Sequence, residues 1–277
     1  RFSGYPVIDS RYVFLNMLGK GGFSEVYRAY DLQELRYVAC KIHQLNPQWS
    51  EERRRSYLKH VMRESKIQKS LDHPKVVRLN DVFKIDATTL VTVLDLCEDG
   101  DLDMYLKVHD TLPEKEARII MWQIFSGLKY LNEQKQRIIH YDLKPANILF
   151  HKGEAKITDF GLAKEMQESK QSIELTSQGA GTLSYLPPEC FITSHTPLIT
   201  SAVDVWSCGI IYYQMLFGKR PFNSPHHSAE LMAKSQVDID FPAKPIVSEV
   251  SKDFIRRCLS INPSDRPDIL NIFEDAL

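Results

Sequence analysis

Ile138-Ile139-His140-Tyr141-Asp142-Leu143-Lys144-Pro145-Ala146-Asn147-Ile148-Leu149 places an acid, a base and an amide inside one turn bounded by two apolar runs. Lys144 and Asn147 stand two and five positions after Asp142, and Thr158-Asp159-Phe160-Gly161 follows a short strand-like run. Two carboxylates seventeen residues apart, Asp142 and Asp159, with an amide between them near strand ends, can hold Mg²⁺ and a nucleophilic hydroxyl against one phosphate. Taken singly, each of these residues reads more simply as a turn-capping Asp or Asn. The ordered set is what carries the chemistry.

Upstream stands Gly19-Lys20-Gly21-Gly22-Phe23-Ser24-Glu25-Val26. Glycines there allow a tight turn whose backbone amides close over phosphates, because no Cβ blocks the approach. Alone, the stretch reads equally as an ordinary Gly-rich hairpin. Fifteen residues after Val26, the run Val38-Ala39-Cys40-Lys41 ends in a lysine among apolar neighbours. An unpaired buried ammonium is costly, so Lys41 calls either for an anionic partner or for a position at the sheet edge from which it reaches water.

Working outward, Tyr12 to Leu94 consists of short β-rich runs (12–18, 25–30, 36–42, 79–83 and 90–94) interrupted by the charged stretch 51–71. That stretch predicts a helix. Ser50 is placed to cap it, Glu51 and Glu52 fall in its first turn, and Leu58, Val61, Met62 and Ile67 form a partial apolar face. After Gly100 the period changes: Ala117, Ile120, Met121, Ile124, Leu128 and Leu131 recur at helical steps behind Pro113 and Glu114. Further helices are expected at 201–217, 229–235, 248–259 and 267–277. The polar segment 165–181 lacks a sustained period and reads as a mobile loop. The fold class is therefore α+β, with a β-rich N-terminal third carrying one major helix and a mainly helical remainder.

At 277 residues, a multi-module array is excluded, and 43% hydrophobic residues suffice for a sizeable core. Lys plus Arg number 35 against 36 Asp plus Glu, so no global field recruits nucleic acid or an anionic membrane. The five cysteines are dispersed, without a Cys-x-x-Cys pair; reduced, mostly buried thiols in an intracellular compartment are expected. No apolar run approaches the roughly 18 residues of a membrane span. Because the first residue is Arg1, the chain is expected to be part of something longer.

Together, in this order, these residues resemble the eukaryotic protein kinase family over nearly the whole chain. The resemblance implies a two-lobed fold: a flanking segment 1–10, an N-lobe 11–94, a hinge 95–100 and a C-lobe 101–277. It implies ATP and Mg²⁺ as cofactors. Gly19, Gly21 and Val26 match the Gly-rich loop, with Ser24 where a third glycine usually falls. Lys41 corresponds to the lysine that touches the α- and β-phosphates, and Glu64 to its ion-pair partner, Glu51 and Glu52 lying too early in the helix. Asp142 is implied as the catalytic base or hydroxyl-orienting carboxylate, Lys144 as a charge neutraliser, and Asn147 and Asp159 as Mg²⁺ ligands. Leu94-Asp95-Leu96-Cys97 resembles the gatekeeper and hinge, the backbone of Asp95 and Cys97 meeting the adenine edge and Val26, Ala39 and Leu149 its faces. Asp101 falls where the family often has an acid for the ribose or for a basic substrate residue.

Gly181-Thr182-Leu183-Ser184-Tyr185-Leu186-Pro187-Pro188-Glu189 resembles the end of an activation segment, Pro187 replacing the usual alanine. Glu189 is expected to pair with Arg266, and Asp204 to brace the catalytic turn through backbone hydrogen bonds. Lys144 after Asp142, with Thr182, resembles serine/threonine rather than tyrosine kinases. His-Tyr-Asp-Leu-Lys-Pro, Glu-Leu-Thr-Ser-Gln-Gly-Ala-Gly-Thr and Lys-Ile-His-Gln-Leu-Asn are similar to the Tousled-like kinases. Ala146 in place of glycine, and Leu183-Ser184 in place of an aromatic-rich pair, depart from that group. This narrower resemblance implies nuclear residence, a role in chromatin assembly through histone-chaperone substrates, and self-association through regions outside these residues. Neither direct nucleic-acid nor membrane binding is expected. A pseudokinase scaffold that binds nucleotide without turnover is the alternative. Tyr141 stands where phosphorylation-gated kinases carry arginine, so a phosphate on Ser169, Ser172, Thr176 or Ser177 is not expected to be read through it.

Overall fold

The computed structural model describes residues 4–21, 24–46, 48–167, 169–175, 181–222, 231 and 237–273. They fall into two compact units, one ending at Glu98 and the other beginning at Asp99.

The first unit is an antiparallel sheet with one helix. Strands β1 (Val7–Ile8), β2 (Tyr12–Lys20), β3 (Ser24–Asp31), β4 (Arg36–Gln44), β5 (Leu79–Lys84) and β6 (Thr89–Asp95) lie in the order β1-β2-β3-β4-β6-β5. Alternation along each strand sends Phe14, Ala29, Val38, Cys40, Val91 and Val93 into one buried cluster. Helix α1 (Glu51–Lys69) begins where expected, the Ser50 hydroxyl accepting from the Arg53 amide at 3.2 Å. It buries Val61, Ser65, Ile67 and Gln68.

Asp31 ties the sheet's turn together. Its oxygens accept from Arg11 Nε at 2.8 Å and Nη2 at 2.6 Å, and also from the amides of Gln33 and Glu34. The Arg11 hydrogen bonds, opposed by burial and helped by the two amides, hold this carboxyl below the usual aspartate range. Because the folded-state value is depressed, the stabilisation is complete above an ordinary Asp value of about 3.9 and is lost as pH falls through the lower folded value. Asp31→Asn is therefore expected to lower the melting temperature at neutral pH and to flatten the acid limb below about pH 4. An acid limb identical to that of the parent chain would contradict this.

The second unit is mainly helical. Helix α2 (Leu102–His109) was not legible as a period in the sequence; the Asp101 carboxylate caps it, accepting from the Met104 amide at 2.8 Å. Helix α3 (Glu114–Asn132) buries Ala117, Met121, Ile124, Phe125, Leu128 and Leu131, the stripe its spacing predicts. Helix α4 (Ala202–Phe217) is buried almost all round, as an apolar helix in the middle of a core must be. At Gly209 an added Cβ would come within 2.8 Å of Cys258 Cβ, so glycine permits the close approach of helix α5 (Glu249–Cys258). The Ser248 hydroxyl caps α5 from the Ser251 amide.

Two expectations need correction. The stretch 164–175 is not a structureless loop. β10 (Lys164–Gln167) pairs with β7 (Gln136–Ile139), and β11 (Ile173–Glu174) pairs with β12 (Leu198–Ile199). Strands of four and two residues are too short to show a period, and their partners are remote in sequence. The stretch 267–273 is not an α-helix either: Asp268 accepts from the Leu270 amide and closes a 3₁₀ turn over Ile269–Asn271. Residues 274–277, and all of the expected helix 229–235 except Leu231, lie outside the described residues. All five cysteines are free thiols; Cys40, Cys190, Cys208 and Cys258 are buried and Cys97 half-buried. Among the described residues, no helix is long and apolar enough to cross a membrane.

Candidate active site

The first unit holds one group of the expected residues. In the hairpin of β2 and β3, Gly19 pairs with Val26, and the Gly21 amide donates to the Ser24 carbonyl at 2.7 Å. A Cβ on Gly21 would come within 3.2 Å of Ser24 Oγ, a tight contact that the serine side chain would have to relieve. Gly22 and Phe23 lie outside the described residues. Register places Val26 opposite Lys41, Lys41 opposite Thr92, and Ala39 opposite Leu94. Opposed residues share a face, so Val26, Ala39, Lys41, Thr92 and Leu94 line the side of the sheet away from its buried cluster.

Lys41 finds its anion on this side. Its Nζ lies 3.8 Å from Glu64 Oε1, both side chains being largely buried. Glu64 qualifies because it lies on the inward-turned side of α1, whereas Glu51 and Glu52 are exposed in the first turn. A polar relay joins the same two elements: the His43 ring meets Tyr57 of α1 at 3.2 Å and Thr92 of β6 at 3.3 Å. At the end of β6 the Asp95 amide is committed to the Arg78 carbonyl at 3.0 Å, and its carboxylate accepts from Arg36 and Asn80. The hydrogen bond to Arg78 uses the Asp95 amide and leaves its carbonyl as the backbone group that a ligand edge would meet. Cys97 is half-buried just beyond.

The second unit holds the turn around Asp142. Strands β8 (Ile148–His151) and β9 (Glu154–Ile157) form a hairpin, and a 3₁₀ turn at Pro145–Asn147 leads into it. Asn147 Nδ2 donates to the Asp142 carbonyl at 2.8 Å and to Oδ2 at 3.3 Å. Lys144 Nζ reaches Asp142 Oδ2 and Thr182 Oγ1, both at 2.9 Å. Thr182 in turn donates to Asp142 Oδ1 through its amide and its hydroxyl, each at 2.9 Å. Thr182, a class marker in the sequence, is thus a member of the site. Its presence could be read only as a Gly-Thr pair near the end of the segment.

Beneath this turn, the Asp204 carboxylate accepts the amides of His140 and Tyr141, both at 2.8 Å. Burial raises its pKa, opposed by His140 and by the two amides. His140 also joins Asp159's neighbourhood: its ring meets the Thr158 carbonyl at 2.9 Å and packs edge-on against Phe160. Tyr141 and Asp159 both have left-handed backbones, with φ of 71° and 65°. Asp159 Oδ1 accepts from the Gly161 amide at 3.4 Å.

Tyr141 is fully buried beside Leu175, Leu186, Cys190, Ile199 and Val203, with the Lys164 ammonium 5.1 Å from its ring centre. Burial raises its hydroxyl's pKa far above the ordinary tyrosine value. A phosphate cannot enter that apolar cluster without leaving charge unsolvated. Ser169 and Ser172 are described; Thr176 and Ser177 are not. One oxygen of the Asp101 carboxylate caps α2, and the Asp101 backbone bridges to Leu149.

Asn147 and Asp159 offer hard oxygens, the donors Mg²⁺ takes. Among the described residues, no three His, Cys, Asp or Glu side chains gather to hold a metal alone. This is compatible with a cation that shares its ligands with substrate phosphates, the usual habit of Mg²⁺.

A family model described as "Protein kinase domain" matches residues 12–277. The chain belongs to the protein kinase family. Protein kinase domains use ATP and a divalent metal. Among curated proteins, this kinase domain is similar to serine/threonine-protein kinase TOUSLED of Arabidopsis thaliana, 55% identical over 283 residues that take in 99% of this chain and 41% of that protein. It is 50% identical to human serine/threonine-protein kinase tousled-like 2 over 282 residues, 97% of this chain and 36% of that protein. Serine/threonine-protein kinase tousled-like 1 of Caenorhabditis elegans is 48% identical over 289 residues, 100% of this chain and 30% of that protein. The kinase domain thus spans well under half the length of these relatives.

The hydroxyl of Thr182 can be tested apart from its backbone. Thr182→Val keeps the amide but removes the contacts to Asp142 and Lys144. A lost hydrogen bond to a charged group costs about 1.5–3 kcal/mol, so kcat is expected to fall about 10- to 150-fold with little change in KM for ATP. Thr182→Ser should restore most of the rate. Steady-state kinetics with an unchanged kcat in the valine variant would remove Thr182 from the site.

Proposed function

We propose that this domain transfers the γ-phosphate of ATP to serine or threonine hydroxyls of protein substrates. The observation that carries the reading is the set of donors around Asp142: Lys144, Thr182 and Asn147 hold its carboxylate in one orientation. Asp142 orients the substrate hydroxyl and receives its proton at a carboxylate oxygen. Lys144 supplies positive charge to the moving phosphoryl group. Lys41, held by Glu64, contacts the α- and β-phosphates. Mg²⁺, which Asn147 and Asp159 would hold, supplies positive charge that neutralises the β- and γ-phosphates. A loose transition state of this kind needs positioning and charge rather than covalent chemistry.

The hinge assignments at Leu94, Asp95 and Cys97, the adenine-face assignments at Val26, Ala39 and Leu149, the Gly-rich loop at Gly19 and Gly21, and the ribose assignment at Asp101 are supported by the motif resemblance. The similarity to Tousled-like kinases supports a finer reading: nuclear residence and histone-chaperone substrates in chromatin assembly.

The decisive experiment incubates the chain with ATP, Mg²⁺ and a generic basic protein, followed by phosphoamino-acid analysis. Phosphoserine and phosphothreonine are expected. Binding of nucleotide without turnover would instead favour the scaffold, and phosphotyrosine would overturn the substrate class.

A further inference from the structure

Helix α1 carries on its outer side a row of cations for which phosphoryl transfer has no use. Arg55, Lys59, Arg63, Lys66 and Lys69 follow one another at steps of four, four, three and three residues, which places them along one face. All five are exposed. From the first to the last the row runs about 21 Å. Met62, 50% exposed, sits among them.

A solvated charge run in a helix is commonly laced by its own acids. Here only Arg55 is, with Glu51 at 3.8 Å. Lys59, Arg63, Lys66 and Lys69 make no ion pair among the described residues. The helix dipole accounts for Lys66 and Lys69 in the last turn. It does not account for Lys59 and Arg63, which stand in the middle.

The charge balance selects the partner. A nucleic-acid-binding domain is usually strongly basic overall, whereas this chain has net charge −1 and a pI near 6.8. A long polyanion would run off the row onto a net acidic remainder. A membrane-surface helix needs its apolar face free to enter the lipid. That face of α1, with Val61 and Ile67, is buried. A short acidic polypeptide meets neither obstacle. Carboxylates at three- or four-residue steps on a helix, or at alternate positions of an extended chain, repeat every about 4.5–7 Å, the same interval as the cations.

We propose that the outer face of α1, from Arg55 to Lys69, docks an acidic polypeptide segment. The probe is a fluorescent glutamate homopeptide about 20 residues long, followed by anisotropy against the whole chain. Saturable binding is expected at about 0.1 M salt. It should weaken toward about 1 M, as the screening length contracts from about 10 to about 3 Å. The charge reversal K59E/R63E/K66E should weaken binding by at least about tenfold, while K115E/K135E/K152E, elsewhere on the surface, should not. Thermal melts verify that each variant folds. If the triple reversal does not fold, the neutralised pair K59Q/K66Q replaces it, with an intermediate loss expected. Equal losses from both reversals, or no loss from either, would overturn the proposal. So would a single-stranded oligonucleotide of matched length binding through the same row more tightly than the peptide.

Discussion

Asp142→Asn is expected to lower kcat by about 10²- to 10⁴-fold, the usual contribution of a positioned acid or base, while leaving KM for ATP within a few fold. The substitution preserves shape, so the loss must come from charge and hydrogen bonding. Among the described residues, each hydrogen-bond partner of the Asp142 side chain is a donor: the Thr182 amide and hydroxyl, Lys144 Nζ and Asn147 Nδ2. An asparagine amide has one acceptor oxygen and one NH₂ group. Whichever way it turns, the NH₂ faces donors, and the orientation that the carboxylate enforced is lost. Asp159→Asn is the companion control, since it removes a charge from the pair proposed to hold Mg²⁺ without touching this network. Melting temperatures near that of the parent chain would show that chemistry rather than folding was altered. An Asp142→Asn chain turning over at a rate close to the parent would refute the assignment.

Arg266→Ala is expected to have the largest effect on stability. The guanidinium is fully buried, and Glu189 is only slightly exposed. Their contact is a two-pronged fork, Nη1 to Oε1 at 2.6 Å and Nη2 to Oε2 at 2.8 Å. The remaining donors are also used: Nε on the Ser260 carbonyl, Nη1 on Ala202 and Nη2 on Ile261. Trp206 covers the group, with its ring centre 5.1 Å away. Truncation leaves a buried carboxylate and three carbonyls without their donor. Breaking a buried pair from one side costs about 3–5 kcal/mol, which for a unit of this size lowers the melting temperature by about 6–20 °C. Replacing Glu189 and Arg266 together by apolar residues should recover part of the loss, because no charge is then stranded, but the three carbonyls stay unsatisfied. A single Arg266→Ala variant melting within a degree or two of the parent would show that water or a rearranged chain takes over these roles.

The elements that could be read from the chain alone were those long enough to show their period. Strands β2, β3, β4, β5 and β6, the capped helix α1 and the apolar stripe of α3 all belong to this class, since binary pattern and capping act within a few residues. The motif residues Lys41, Asp142, Lys144, Asn147 and Asp159 were legible by type and spacing. Tertiary structure decided what had no local signature. Strands β10 and β11 exist because 136–139 and 198–199 offer them edges. The turn at Ile269–Asn271, by contrast, has a local cause that the helical reading overlooked: the Asp268 side chain competes for a backbone amide two residues on. The Asp101 cap of α2 is local as well, its carboxylate accepting from an amide three residues on.

The contacts that brace the second unit join residues far apart in the chain. Thr182 lies 40 residues from Asp142, Asp204 63 from Tyr141 and Arg266 77 from Glu189. A sequence specifies such partners only through the packing that brings their elements together. Local propensities determine the elements, whereas the distance between a carboxylate and its donor is set by the whole core.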